Sequence, residues 1–134
     1  ERNRKIRCVQ LSSLAALCPH PYLAAYSASK AALQAYCLAL QEELRLKGSE
    51  VTVCLYILGP VRTAIFPPEL QDALGGAKLQ MSPEIASRRI LRLLQQGRSY
   101  AIVGKRYRLL AWLMKLLPQR WIIRFIGAYL RKGL

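Results

Sequence analysis

Tyr26 and Lys30 sit four residues apart in the run Tyr26-Ser27-Ala28-Ser29-Lys30, and Ser12 and Ser13 lie fourteen and thirteen residues upstream of the tyrosine. At that spacing a helix sets the phenol and the ammonium on one face. A phenol, with a pKa of about 10, is a weak acid at neutral pH. An ammonium alongside favours its ionised form and makes it a better proton donor and acceptor. A serine hydroxyl nearby can hold the oxygen that gains or loses the proton. The three groups together suit proton delivery to a carbonyl oxygen. No glycine-rich phosphate loop accompanies them in the 134 residues.

The elements that must position these groups are legible. Ile6 to Leu11 reads as a short buried strand ending in Ser12-Ser13, followed by a loop with Pro19 and Pro21. Ser27 to Lys47 is rich in helix formers, and Gly48 marks its end. Tyr26 is expected to open that helix. Val51 to Leu58 is an apolar run of eight, expected as a fully buried strand that Gly59-Pro60 breaks. Thr63 to Met81 carries Pro67-Pro68 and Gly75-Gly76 and reads as irregular. Ser82-Pro83 starts a helix that runs to about Gln96, and Tyr100 to Val103 is a third strand.

Strand, helix, strand, helix, strand implies a parallel sheet with right-handed crossovers. Ligands of such sheets bind beyond the carboxyl ends of the strands. Ser13 and Gly59 both fall there, so the candidate groups converge on one edge.

The chain resembles the short-chain dehydrogenase/reductase family in two stretches. One is Leu11-Ser12-Ser13, Pro21 and Tyr26-Ser27-Ala28-Ser29-Lys30-Ala31-Ala32. The other is Gly59-Pro60-Val61-Arg62-Thr63, similar to the family's Pro-Gly-x-Val-x-Thr segment, with Leu58 where the family has proline. The resemblance covers roughly residues 4 to 104. It implies an α/β fold, the C-terminal half of a Rossmann-type doubly wound parallel sheet. It also implies a domain organisation of 1–104, the C-terminal part of a dinucleotide-binding domain, and 105–134, a basic amphipathic helical tail.

The roles implied are Tyr26 as acid and base, Lys30 as its tuner and a ribose contact, and Ser13 as the holder of the substrate oxygen. Ser12 fits the family's spacing less well. Gly59, Val61 and Thr63, with Tyr26 and Lys30, are the implied cofactor contacts. The implied cofactor is NAD(P)(H), with NADP(H) the favoured form, and the implied reaction interconverts an alcohol and a ketone. The family's glycine-rich loop, its Asn-Asn-Ala-Gly segment and its catalytic asparagine would all precede Glu1. The chain therefore reads as truncated at its start and inactive alone. The family also implies a homodimer, paired through the helix that carries Leu33, Tyr36, Cys37, Leu40 and Leu44, which otherwise reads as core.

Composition narrows the rest. Hydrophobic residues make up 53% and charged ones 21%, which excludes a disordered polymer. Net charge is +14, and from Arg88 onward there are twelve Lys/Arg and no Asp/Glu. Such a surface attracts phosphates. Cys8, Cys18, Cys37 and Cys54 lack metal-ligand spacing, so no metal site is expected; they read as buried apolar residues in a cytoplasmic, reducing setting. His20, between two prolines, reads as a loop residue. No nucleic-acid reader motif is present, and nucleic acid is not an expected partner.

From Lys105 to Leu134 the pattern is two helices split at Pro118, the second striped with Arg120, Arg124 and Arg131. No run there reaches the roughly 20 apolar residues of a membrane span. It is expected to lie on an anionic membrane surface, making the protein peripheral, rather than to cap the substrate pocket. Ile65, Phe66, Pro67, Leu70 and Leu74 point to an apolar substrate, a lipid, steroid-like or fatty ketone. The rival from another class is a non-catalytic lipid-binding module built on the same tail.

Overall fold

A computed structural model describes residues 6–73 and 79–131. The charged opening 1–5, Leu74, Gly75-Gly76 and residues 132–134, all used above, lie outside the described residues, as does the side chain of Leu70. Three strands, β1 (Ile6–Ser13), β2 (Val51–Leu58) and β3 (Tyr100–Val103), form one parallel sheet in the order β1-β2-β3. Helix α1 (Ala24–Leu46) joins β1 to β2. Helices α2 (Pro68–Ala73) and α3 (Pro83–Gln95) lie between β2 and β3, and α4 (Lys105–Leu116) and α5 (Gln119–Arg131) follow β3. The register runs from Ile6 opposite Val51 to Ser13 opposite Leu58, and Leu58 in turn lies opposite Val103. All three strands thus end level, and Ser13, Gly59 and Gly104 share one edge.

β2 is the centre of the molecule. Val53 to Ile57 are all buried, as its apolar sequence leads one to expect of a strand covered on both faces. Alternate side chains point to opposite faces. Val53 and Leu55 pack on Cys37, Leu33, Leu40 and Leu44 of α1. Cys54 and Tyr56 pack on the other side against Ala86, Ile90 and Leu93 of α3. The buried Tyr56 hydroxyl donates to the Arg98 carbonyl at 2.7 Å, so its polar end is satisfied. Ser82 caps α3 by accepting from the Ile85 N–H at 3.3 Å, with Pro83 in the first turn, as the sequence predicts.

Five expectations change. β1 is not buried: Ile6 is 56% exposed and Leu11 41%. Among the described residues only β2 pairs with it, and α1 lies chiefly over β2, so its apolar side chains have few neighbours. The stretch after Thr63 is not wholly irregular, because Pro68 opens α2, whose Gln71 N–H closes a turn onto the Pro67 carbonyl at 3.0 Å. Tyr36 is exposed on the outer side of α1 rather than in the core. Cys18, Cys37 and Cys54 are buried, but Cys8, on the open strand, is exposed. α1 also starts earlier than the sequence suggests, so Tyr26 is its third residue.

Candidate active site

The level strand ends and the start of α1 meet at a cleft of about 960 Å³. Ser12, Ser13, Tyr26, Lys30, Gly59, Val61 and Thr63 all line it. The candidate catalytic and cofactor-contacting residues named from the sequence are therefore brought to one place, with Ile65 and Phe66 beside them.

α1 is tied to the end of β1 by the residues that carry the chemistry. Ser12, nearly fully buried, donates from Oγ to the Lys30 carbonyl at 3.1 Å. Lys30 Nζ returns across the same gap to the Leu11 carbonyl at 3.1 Å and stands 5.8 Å from the centroid of the Tyr26 ring. One of its three N–H bonds is thus committed and two remain. The geometry also separates the two serines. The Ser12 proton is used within the fold. Ser13 Oγ accepts from the Ala15 N–H at 3.2 Å, capping the short 3-10 turn Leu14–Ala16, and keeps its own proton for another acceptor.

Tyr26 meets Phe66 edge to face, with centroids 5.2 Å apart. That contact links the first turn of α1 to the loop after β2, in the arrangement aromatic pairs favour. The loop is closed at its stem, where Met81 N–H donates to the Pro60 carbonyl at 2.8 Å and Arg62 N–H to the Met81 carbonyl at 2.9 Å.

His20 is a loop residue, as its place between two prolines leads one to expect, and it also lines the cleft. Its backbone N–H donates to the buried Ser27 Oγ at 3.1 Å, and its Nδ1 lies 2.8 Å from the Cys18 carbonyl. A carbonyl only accepts, so Nδ1 carries the proton. Burial lowers the pKa of the imidazole, with the Cys18 bond opposing, and favours the neutral ring. The only signal in the sequence was its position between Ser13 and Tyr26.

The tail supplies the rest of the wall. Tyr107, Leu110, Leu113 and Met114 of α4 and Trp121, Phe125 and Leu130 of α5 face the cleft. Leu130 is fully buried and Ala111 packs on Leu14 and Ile57. The part of the tail that the sequence assigned to a membrane thus walls the pocket, and several of the same side chains also remain open to solvent: Trp121 is 68% exposed and Phe125 74%. No helix among the described residues is long and apolar enough to cross a membrane. No cluster of metal-ligating side chains occurs among them.

The comparisons with known proteins bear on the family and the fold. The family model described as short chain dehydrogenase matches residues 2–73. A Hydroxysteroid 11-beta-dehydrogenase 1-like protein of Xenopus tropicalis is 35% identical over 89 residues, which cover 66% of this chain and 29% of that protein. Two crystal structures share the fold at 20% identity. A short chain dehydrogenase of Burkholderia cenocepacia, in complex with NADP, has a TM-score of 0.66 over 90% of this chain and 46% of its own. A short chain dehydrogenase/reductase of Burkholderia phymatum, in complex with NAD, has a TM-score of 0.68 over 85% and 48%. The chain spans about half the length of those two structures and under a third of the Xenopus relative. Family membership leaves the rival reading, a lipid-binding module without chemistry, unsupported. A family match over more than half of the chain, on a parallel α/β fold with a level strand edge, assigns the protein to the short-chain dehydrogenases.

Proposed function

We propose that the protein carrying this chain is an NAD(P)-dependent oxidoreductase that interconverts an apolar alcohol and its ketone. One observation carries this: Ser13, Tyr26, Lys30 and the Gly59–Thr63 segment line a single cleft whose remaining wall is largely apolar. The residues fit a nicotinamide nucleotide, since Val61 and Thr63 line the cleft beside Tyr26 and Lys30 keeps two donors for a ribose. A nicotinamide bound there supplies or accepts the hydride. Tyr26 gives the proton to the carbonyl oxygen in reduction and takes it back in oxidation. Ser13 donates its free proton to the same oxygen and orients it. Lys30 holds positive charge 5.8 Å from the centre of the Tyr26 ring while the proton moves. NADP(H) remains the favoured dinucleotide, on the resemblance alone. In this reading residues 1–104 supply the nicotinamide side of the site and 105–134 its apolar wall and basic outer surface.

Nicotinamide absorbance at 340 nm, followed with a panel of aliphatic and steroid-like ketones against short polar ones, tests the assignment. Turnover is expected with the apolar set. Lys30→Ala should lower the rate about 10²-fold and weaken dinucleotide binding, since it is assigned both roles. No turnover with any ketone or alcohol, by a protein that binds either dinucleotide, would refute the reaction class.

The same tail supports a second role for its outer side. Trp112 is exposed away from the cleft, and Trp121 and Phe125 at the cleft's edge also stay open to solvent, on helices that carry the exposed Lys115, Arg120, Arg124 and Arg131, with no acidic residue after Glu84. We assign it to an anionic membrane surface, where each basic residue contributes on the order of 1 kcal/mol and indole rings sit at headgroup level. Attachment should weaken with salt without being abolished. Tryptophan emission should shift to the blue on vesicles containing phosphatidylserine and less on phosphatidylcholine alone. No response to either would leave the tail with the pocket wall as its one role. The exposed outer side of α1, with Tyr36 and Leu46, supports pairing with a second copy.

A further inference from the structure

The ring of Tyr107 lies between two glycines, each directly after a strand. Gly59 follows β2 and Gly104 follows β3. A Cβ on Gly59 would stand 2.4 Å from Cδ1 and Cε1 of that ring and 2.6 Å from Cγ. Carbon atoms in contact sit about 3.5–4.0 Å apart, so no side chain fits at position 59 while the ring is there. On the other side a Cβ on Gly104 would meet Cδ2 at 3.1 Å, and Gly104 has φ +103°, a conformation glycine alone adopts readily.

The hydroxyl reaches a third segment. It donates to the Leu79 carbonyl at 2.5 Å, while the Pro60 carbonyl lies farther off at 3.5 Å. A phenol has one proton, and the nearer carbonyl takes it. Leu79 borders the short ladder in which Met81 pairs with Val61, the point where the loop after β2 returns to its start. The ring also joins two core clusters, one containing Tyr56 and Met81, the other Ile57, Leu14 and Ala111.

We propose that Tyr107 is a positioning residue that locks the Gly59–Val61 turn and the returning loop stem to α4, and so sets the surface met by the nicotinamide end of the dinucleotide. This rests on the dehydrogenase reading of the cleft. Tyr107 reacts with nothing; it fixes backbone that does. Its contact with the main chain at Gly59 leaves no slack, because the turn cannot move toward the ring and the ring is backed by Gly104.

The test is a double-mutant cycle in the protein that carries this chain, with Gly59→Ala, Tyr107→Ala and the pair. Binding of NADPH and NADH is compared with that of 2′-phospho-ADP-ribose and ADP-ribose, which lack the nicotinamide. Each single change should weaken the reduced dinucleotides about tenfold and their nicotinamide-free counterparts less than about twofold. The double variant should be no worse than the weaker single one, because removing the ring makes room for the new Cβ. Tyr107→Phe keeps the ring on Gly59 but releases the Leu79 carbonyl, so its loss should be smaller than that of Tyr107→Ala. If Tyr107→Ala does not fold, Tyr107→Leu shortens the side chain with a smaller void and enters the same cycle. Losses that add, or that fall equally on the nicotinamide-free ligands, overturn the proposal. A wild-type protein that binds neither NADPH nor NADH overturns the dehydrogenase reading and this proposal with it.

Discussion

Replacing Tyr26 by phenylalanine should cut turnover by about 10²–10⁴-fold, the range for loss of a positioned general acid and base. The change removes one oxygen. The ring remains edge-on to Phe66, and the first two turns of α1 keep their ties, the Ser27 bond to the His20 N–H and the Lys30 carbonyl bond to Ser12. The unfolding midpoint should therefore move by less than about 2 °C. Dinucleotide affinity should fall far less than turnover, because only the Tyr26 hydroxyl is lost while Lys30 and the Gly59–Thr63 backbone are untouched. The measurement is kcat for the best apolar ketone, beside a thermal melt of the same preparation. Turnover within a few-fold of wild type, with an unchanged melt, would remove Tyr26 from the proton path.

The second large effect lies in stability. Leu55 is fully buried at the middle of β2 and packs against Cys37, Leu33, Leu40 and Leu44. Leu55→Ala should cost about 2–5 kcal/mol, through lost burial and the cavity left behind. Domains are stable by only about 5–15 kcal/mol, so this is a large share. The position matters for function too. The face of α1 that Leu55 holds belongs to the same helix that carries Tyr26 and Lys30, so loosening it blurs the distance between phenol and strand end. Denaturant titration gives the stability, and catalysis measured well below the midpoint should fall more than the unfolded fraction explains. A cost below about 1 kcal/mol would mean that α1 is held mainly elsewhere.

The elements that the sequence made plain are those whose cause is local. β2 matched residue for residue because a strand covered on both faces is apolar throughout. The start of α3 was visible because Ser82 and Pro83 act through their own backbone and the turn beside them. What remained hidden depends on neighbours. Ile6 and Leu11 look like core residues, and only the sheet order reveals that one side of β1 has no cover among the described residues. Tyr36 carries the helical spacing of a core residue but falls on the outer side. The tail shows the same difficulty in larger form. Its amphipathic pattern announces apolar faces but not what they touch, and part of them walls the cleft. The motif residues came together as expected, whereas His20 and Tyr107 belong to the site through packing that no spacing records.

The even register of the sheet has a consequence for how the chain folds. Ile6 pairs with Val51 and Leu55 with Tyr100, so both ladders join residues 45 positions apart. Neither can form as a hairpin. Closing a loop of that length costs about 3 kcal/mol in chain entropy at either ladder. Helix α1 can form before closure and converts half of the first loop into a rod about 35 Å long, at 1.5 Å per residue over its 23 residues. The second loop has no comparable rod, because α2 and α3 are shorter. Folding should therefore be governed by distant contacts, in the slower regime of high contact order. Ser13, Gly59 and Gly104 consequently meet in space only when the last ladder closes, and the edge that carries the candidate site is complete only with the sheet.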